Sequence, residues 1–388
     1  MRAELNQRED MHYPMTRKRP GLTRGARFLR LLTLLITSVC YCGAMADGDA
    51  SVAATAIPQA INVVANPESR VVNLRSDLDL GISVSTEIPI RSGTAAEASF
   101  RKTEAQLLAA KQRSVFEASA QWGVVRLYPQ YSVIPELMLS LVVLKSDGRE
   151  LLIRANLSVV SGDVLLAETY LDRSSSNDPA SELENPFADL FHRIHSDVAI
   201  AVSQYSTASS YLDTLSFLRY AQQLSPDAFS GYLASNNGQW QLLREPSEQD
   251  PMYARIAKLR NYELLFVDTI DEQLSGALRE IDVAYNLWLQ ASKEQLDWLE
   301  RRRARGLSVE SFTDDSTFAR HQAVYAAYRS LKIHEQELFE LVLDLESESR
   351  ATALEIEDNV VKLEGTLEQQ YREWRETLAK IIRLENAF

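Results

Sequence analysis

The stretch "ELLIRANLSVVSGDVLLAETY", residues 150–170, decides the fold. Leu151, Ile153, Ala155, Leu157 and Val159 fall on one side of an extended chain, and Leu152, Arg154, Asn156 and Ser158 on the other. Such alternation predicts a strand with one packed face and one wet face. "SGD" at 161–163 places a glycine able to take positive φ before a second extended arm, so the stretch reads as a hairpin. Just upstream, "SDGRE" at 146–150 supplies an Asp-Gly turn behind the apolar run "ELMLSLVVLKS" at 136–146. Consecutive strands joined by tight turns predict an antiparallel meander.

Outward from this meander the pattern changes to helix on both sides. "LDLGISVST" at 78–86 alternates as a strand, and residues 95–122 follow as a run of strong helix formers with Phe100, Leu107, Leu108 and Val115 on a shared face,. "WGVVRLY" at 122–128 adds a strand. Downstream, the polar "DRSSSNDPASELENP" precedes a helix expected over 186–205, with Phe187, Leu190, Phe191, Ile194 and Val198 on its apolar side. Pro186 suits the first turn and Asn185 can cap it. The order predicts an α+β class: an antiparallel sheet with helices packed on one face, an α/β sandwich over residues 71–205. Residues 206–250 then carry a connecting helix, ended by Ser225 and Pro226, and a short hairpin around Asn236, Asn237 and Gly238,.

Beyond residue 251 the spacing is that of a coiled-coil seam. Val267, Ile270, Leu274, Ala277, Ile281, Ala284, Trp288, Ala291 and Trp298 recur every three or four residues, and Ile356, Val360, Leu363, Leu367, Trp374, Leu378 and Ile381 repeat the seam after Gly306,. Residues 251–388 are therefore expected to form a long helical hairpin whose first helix reaches about 80 Å at 1.5 Å per residue. An apolar stripe of that length calls for a cover. The expected cover is a helical partner or a second copy, and the expected arm separates from the α/β part. Trp288, Trp298, Trp374, Ile281, Leu363 and Leu367 are the candidate partner-binding residues, because buried aromatic anchors dominate contact energies.

The helix, the strand ending in Tyr128 and Pro129, and "IRANLSVVSGDVLLAETY" together resemble the envelope domain of CsgG-type secretion proteins, penicillin-binding-protein activators and flagellar-assembly lipoproteins. In that group a strand of the form v-a-x-L-x-d-x-x-T-G-x-v-l precedes a docking helix. Residues 154–166 fit it with Ser161 and Gly162 in place of Thr-Gly. The resemblance covers roughly residues 71–205 and implies a fold and an envelope setting. It implies no activity. Many members carry an acylated cysteine; here "TSVC" and "VCYC" lack the small residue usual directly before it.

The N-terminus carries an export pattern. Residues 1–30 hold eight Lys/Arg against three Asp/Glu, "LLTLLITSVCYC" at 31–42 is an uncharged apolar run, and Ala44 and Ala46 stand at the small-residue positions of a cleavage site. A signal peptide over residues 1–46 is expected, releasing a chain that starts at Asp47. The apolar run is shorter than the ~20 residues of a spanning helix. Residues 47–70, rich in Ala, Val, Ser and Asn, read as a linker,. Both cysteines, Cys40 and Cys42, lie inside the signal, so the mature chain has no thiol for a disulfide, a nucleophile or a metal site,. These features place the protein outside the cytoplasm, in a periplasm, with outer-membrane association and peripheral membrane contact left open.

Charge narrows the partners. The chain carries 41 Lys/Arg and 54 Asp/Glu, net −13, and the mature part holds 33 and 51. A body of net −18 repels a polyphosphate, so nucleic acid is no partner.

Catalytic patterns are missing from the sequence. No GxSxG elbow, GxGxxG or phosphate loop appears, and "HEQELFE" from His334 lacks the second histidine of a zinc-protease helix,. His192 and His195 lie three apart with Asp197 nearby but have no evident further ligands, and helix phasing leaves His192 beside the rim, so no metal pair is expected. No cofactor is implied. "LDLESESRATALEIED" at 342–357 concentrates acids that read as a solvated face,. Two functions fit: a non-catalytic exported scaffold or adaptor that binds envelope proteins or itself, and a cell-wall-active hydrolase or ligand-binding protein using carboxylates from separate segments. Two acids facing across an aromatic cleft would mark the second. A flat sheet edge and an exposed helical stripe would mark the first.

Overall fold

The computed structural model describes residues 60–63, 77–90, 93–174, 185–247, 249–304, 314–347, 352–356, 359–363, 365 and 367–385. The expected signal peptide lies outside them. The strands are β1 (Ile61–Asn62), β2 (Leu80–Thr86), β3 (Val125–Leu127), β4 (Leu137–Ser146), β5 (Glu150–Val159), β6 (Val164–Arg173), β7 (Leu233–Asn236), β8 (Gln239–Leu242), β9 (Thr352–Ile356) and β10 (Asn359–Leu363). The helices are α1 (Ala95–Ser119), α2 (Ala188–Ser203), α3 (Ser209–Leu224), α4 (Pro226–Phe229), α5 (Pro251–Ala304), α6 (Asp314–Ser347) and α7 (Leu367–Glu385).

Six strands form one mixed sheet in the order β1-β6-β5-β4-β2-β3. β4, β5 and β6 make the expected antiparallel meander. β2 departs from that expectation, because it pairs in parallel with both β4 and β3, Ile82 opposite Leu139 and Leu127. The reason is α1, which carries the chain back along the sheet between β2 and β3 and so makes the next strand run the same way. Thr94 caps that helix, its hydroxyl accepting the Glu97 amide at 3.3 Å, and Ala120 closes it in a left-handed conformation at φ 52°. β1 lies within the expected linker and pairs in parallel with β6.

The alternation sorts the faces as it predicts except at Leu152, which is buried on the face expected to be wet. Leu151, Ile153, Ala155, Leu157 and Val159 are fully buried, whereas Asn156 on the other face is exposed and Arg154 half-exposed. α1 lies against β2, β3 and β4, and α2 against β6 and α1. α2 starts at Ala188, two residues later than the proline suggests, and the Asn185 side chain accepts the Phe187 amide in the preceding turn. The two-residue turn of β7–β8 has Asn237 at φ 51° and Gly238 at φ 84°, the pair of positive values that a tight hairpin needs.

The long helix does not project as a separate arm. Residues 58–388 belong to a single compact unit, and α5 is tied to the sheet and α1 along its length. Arg126 on β3 donates to Asp268 at 2.7 Å, Arg113 on α1 pairs with Asp271, and Tyr285 donates to Glu104 Oε1 at 2.9 Å. Near its C-terminal end, Leu289 and Ser292 sit against the β4–β5 turn so closely that a Cβ on Gly148 would lie 2.7 Å from the Leu289 carbonyl. α6 packs back along α5 and α1, with Phe339 5.4 Å from Phe100, which keeps the hairpin part of the expectation. The second seam is broken, however. β9 and β10 pair as an antiparallel hairpin where a continuous helix is expected, and α7 then docks on α3 and α5 through Tyr371, Trp374, Leu378 and Ile382, all buried.

One buried acid gives a pH-dependent signature. Asp172 near the end of β6 is 7% exposed. Burial and the nearby Asp189 charge push its carboxyl up to about 6, against the pull of the Arg173 and Leu190 amides. Because the folded value lies above the unfolded one, the charged folded state is penalised above pH 6, and the penalty fades as pH falls from about 6 to 4. Asp172→Asn should therefore be more stable than the parent by about 1–2 kcal/mol at pH 7.5, below the ~3 kcal/mol implied by two pKa units. The gap should shrink below pH 6 in thermal melts of both proteins. A gap that does not change with pH would remove Asp172 as its source.

Candidate interaction site

The structure brings four of the six candidate partner-binding residues inside. Ile281, Trp288, Leu363 and Trp374 are all buried. Trp288 meets Phe100 edge-on at 5.3 Å and lies over Tyr285, and Trp374 stacks on Phe266 at 5.2 Å with a 16° interplanar angle. Trp298 is half-buried and engaged within the chain, and the Leu367 side chain lies outside the described residues. The periodicity identifies the buried stripe correctly. Its cover is this chain's own α1, sheet edge, α6 and α7, so Trp288 and Trp374 are core packing and cannot serve as exposed anchors.

The buried polar groups on these helices pin the layers together. Tyr371 donates to Glu263 at 2.6 Å with Arg375 3.6 Å away, and Arg375 reaches Gln223 on α3 at 2.7 Å. Burial, reinforced by Glu263, raises the Tyr371 phenol well above its ordinary range, and burial with Glu104 does the same to Tyr285. Both stay protonated donors. Among the described residues, His195 packs against Phe116 at 5.1 Å and Trp122 at 6.4 Å. Burial, then the neighbouring His192, lowers its pKa. His192 is exposed, as the helix phasing predicts, and no group of three His, Cys, Asp or Glu could hold a metal among the described residues.

Among the described residues, part of the sheet edge has no strand beside it. Among the described residues β1 pairs with β6 only at Tyr170 and Leu171, which leaves Val164–Thr169 without a strand on that side. The Val63 amide donates to the Leu171 carbonyl at 2.9 Å. Two-residue alternation therefore turns the backbone groups of Thr169 and Ala167 to the same outer edge. The edge borders a cleft of about 480 Å³ between β6 and α2. Its apolar part comes from Val164, Leu166, Ile200 and Ala201, with Glu168 and Gln204 beside them. Val164 is 57% exposed.

Hydrogen bonds fix both walls of this cleft. Tyr170 reaches from β6 to Asp197 on α2 at 3.1 Å, and Arg193 holds the same carboxylate at 2.9 Å. At the far end Tyr205 donates to Asp163 at 2.9 Å, and Gln239 of the β7–β8 hairpin donates to its other oxygen at 3.0 Å. The Trp240 amide donates to the Ser161 carbonyl at 2.7 Å. An edge of six residues, bounded by β1 at one end and a hairpin at the other, is the geometry for strand addition, in which main-chain hydrogen bonds hold an extended segment and side pockets select it. The sequence marks β6 as a strand but carries no sign that it lies at the edge.

No protein-family model matches the chain, and no curated protein or solved structure matches it either. Among the described residues no helix is long and apolar enough to cross a membrane.

Proposed function

We propose that this protein is an exported, non-catalytic adaptor of the cell envelope, which takes an extended segment of a partner protein onto the open edge of β6. The observation that carries the reading is that six-residue edge, without a strand partner among the described residues, beside the cleft between β6 and α2. Export rests on the basic, apolar and small-residue pattern of residues 1–46,. The likeness to CsgG-type envelope domains agrees with this setting and is part of the proposal. The finer architectural reading, a coiled-coil-like hairpin that binds partners, is narrowed to the upper part of α6, where Tyr325 and Tyr328 are exposed. The hydrolase alternative draws no support from three of the buried acids, which face cations or phenols: Glu104 with Arg101 and Tyr285, Glu263 with Tyr371 and Arg375, Asp271 with Arg113.

The test uses the edge itself. Ala167→Pro removes an outward N–H that has no strand partner among the described residues, and proline is tolerated at such edge positions. Proximity labelling in the native cell should give an envelope protein with the parent chain and lose it by tenfold or more with Ala167→Pro, at unchanged circular dichroism. Recovery of the same partner by both chains would refute strand addition, and a parent chain found only in the cytoplasm would refute the envelope setting.

A further inference from the structure

A second cavity, distinct from the β6 cleft, lies between β2, β3, α1, α5 and α7, with a volume of about 270 Å³. Two local features create it. β3 pairs with β2 only as far as Ile82, so among the described residues Val84 has no strand beside it on that side. α1 presents Ala105 and Ala109 to the same space, side chains too short to close it, while Ile270 and Leu274 of α5 form another wall.

The cavity is long and apolar. Its lining runs from Ile82 to Thr86 along β2 and from Phe266 to Leu274 along α5, stretches of about 12 Å each at the rise of a strand and of a helix. Three of its polar groups are already engaged within the chain: the Asp271 carboxylate is held by Arg113 and by the Leu127 amide, the Tyr371 hydroxyl donates to Glu263, and the Thr86 hydroxyl accepts the Ile88 amide. Walls of this kind suit an apolar occupant, because a buried water needs two to four polar partners. On one side the lining changes character. Ser85 is exposed, and Lys102 and Gln106 are half-exposed, so the space reaches solvent beside polar residues.

We propose that this cavity takes one unbranched alkyl or acyl chain, tail first, with the polar head left outside the mouth at Ser85 and Gln106. By proportion to the ~150 Å³ apolar cavity that holds benzene, about eleven non-hydrogen atoms are enclosed. A volume of that size drawn out over about 12 Å fits a chain better than fused rings. A free fatty acid and a membrane lipid present the same chain and differ in the head. The site is independent of the β6 edge, and neither reading requires the other.

Calorimetric titration of straight-chain carboxylates into the chain from Asp47 to Phe388, each below its micelle concentration, tests the proposal. One site is expected, with affinity rising about fourfold for each CH₂ from hexanoate to decanoate and levelling by about twelve carbons, once the space is full. Ala109→Leu fills part of the cavity and should weaken decanoate at least tenfold. Gln106→Trp, at the half-exposed mouth, should do the same with unchanged circular dichroism. Decylphosphocholine separates the sources: decanoate favoured tenfold assigns a free acid, the reverse assigns a phospholipid head, and equal affinity assigns a chain read without its head, each within the proposal. Absence of saturable decanoate binding by the parent chain overturns it. So does an affinity that keeps rising through tetradecanoate, or binding undiminished in either variant.

Discussion

A chain ending at Pro246 is expected to lose cooperative unfolding and to aggregate, although the sequence alone suggests a separable arm. Removing residues 247–388 strips Tyr285 from Glu104, whose carboxylate is fully buried, and Asp271 from Arg113. It also uncovers the surface now packed against Phe266, Val267, Ile270, Leu278, Trp288 and Trp374. At about 1.5–3 kcal/mol for each large buried side chain, the loss matches or exceeds the 5–15 kcal/mol that holds a typical domain together. Thermal melts by circular dichroism with size-exclusion chromatography decide the matter. A soluble monomer with a sharp melt would mean that α5 only rests on the α/β part.

The second large effect concerns the strand that opens the sequence reading. Ile153 is fully buried between Val143 and Tyr170 on the helix-covered face. Ile153→Asp places an unpaired charge there and should cost about 4 kcal/mol or more, the upper range for point changes. Arg154→Ala, one residue on, should cost within about 0.5 kcal/mol, because its side chain is 40% exposed and its 3.4 Å pair with Glu87 is a surface pair,. Urea denaturation of both variants measures the difference. Comparable costs would invert the assigned faces of β5.

The meander was legible because its information is local: Leu151 to Val159 alternate, and Gly148 and Gly162, at φ 84° and 97°, sit at the turns. The parallel pairing of β2 with β4 was not, since nothing in "LDLGISVST" says which strand it will meet across the intervening helix. The same distinction explains the arm. Three-four spacing from Val267 to Trp288 fixes which face of α5 is buried, but an identical spacing serves a partner helix or the chain's own core. The β9–β10 hairpin was hidden because Ile356, Val360 and Leu363 also fit a helical seam. The β6 edge had no sequence signal at all, for edge position is a property of the assembled sheet.

That distance has a kinetic meaning. Glu104 waits for Tyr285 across 181 residues, Arg113 for Ser275 across 162, and Glu263 for Tyr371 across 108. Contacts so remote in sequence make folding slow, since each closes a long loop before it returns any stability. At 5–20 residues per second, α1 leaves the ribosome roughly ten to thirty-five seconds before the helix that covers it is made. Throughout synthesis, then, the N-terminal part carries an uncovered apolar face and a carboxylate without its phenol, and cannot lock into its final form. Under the export proposed above, that delay would keep an extended chain fit for passage, and the closing of α5 over α1 would mark arrival on the other side.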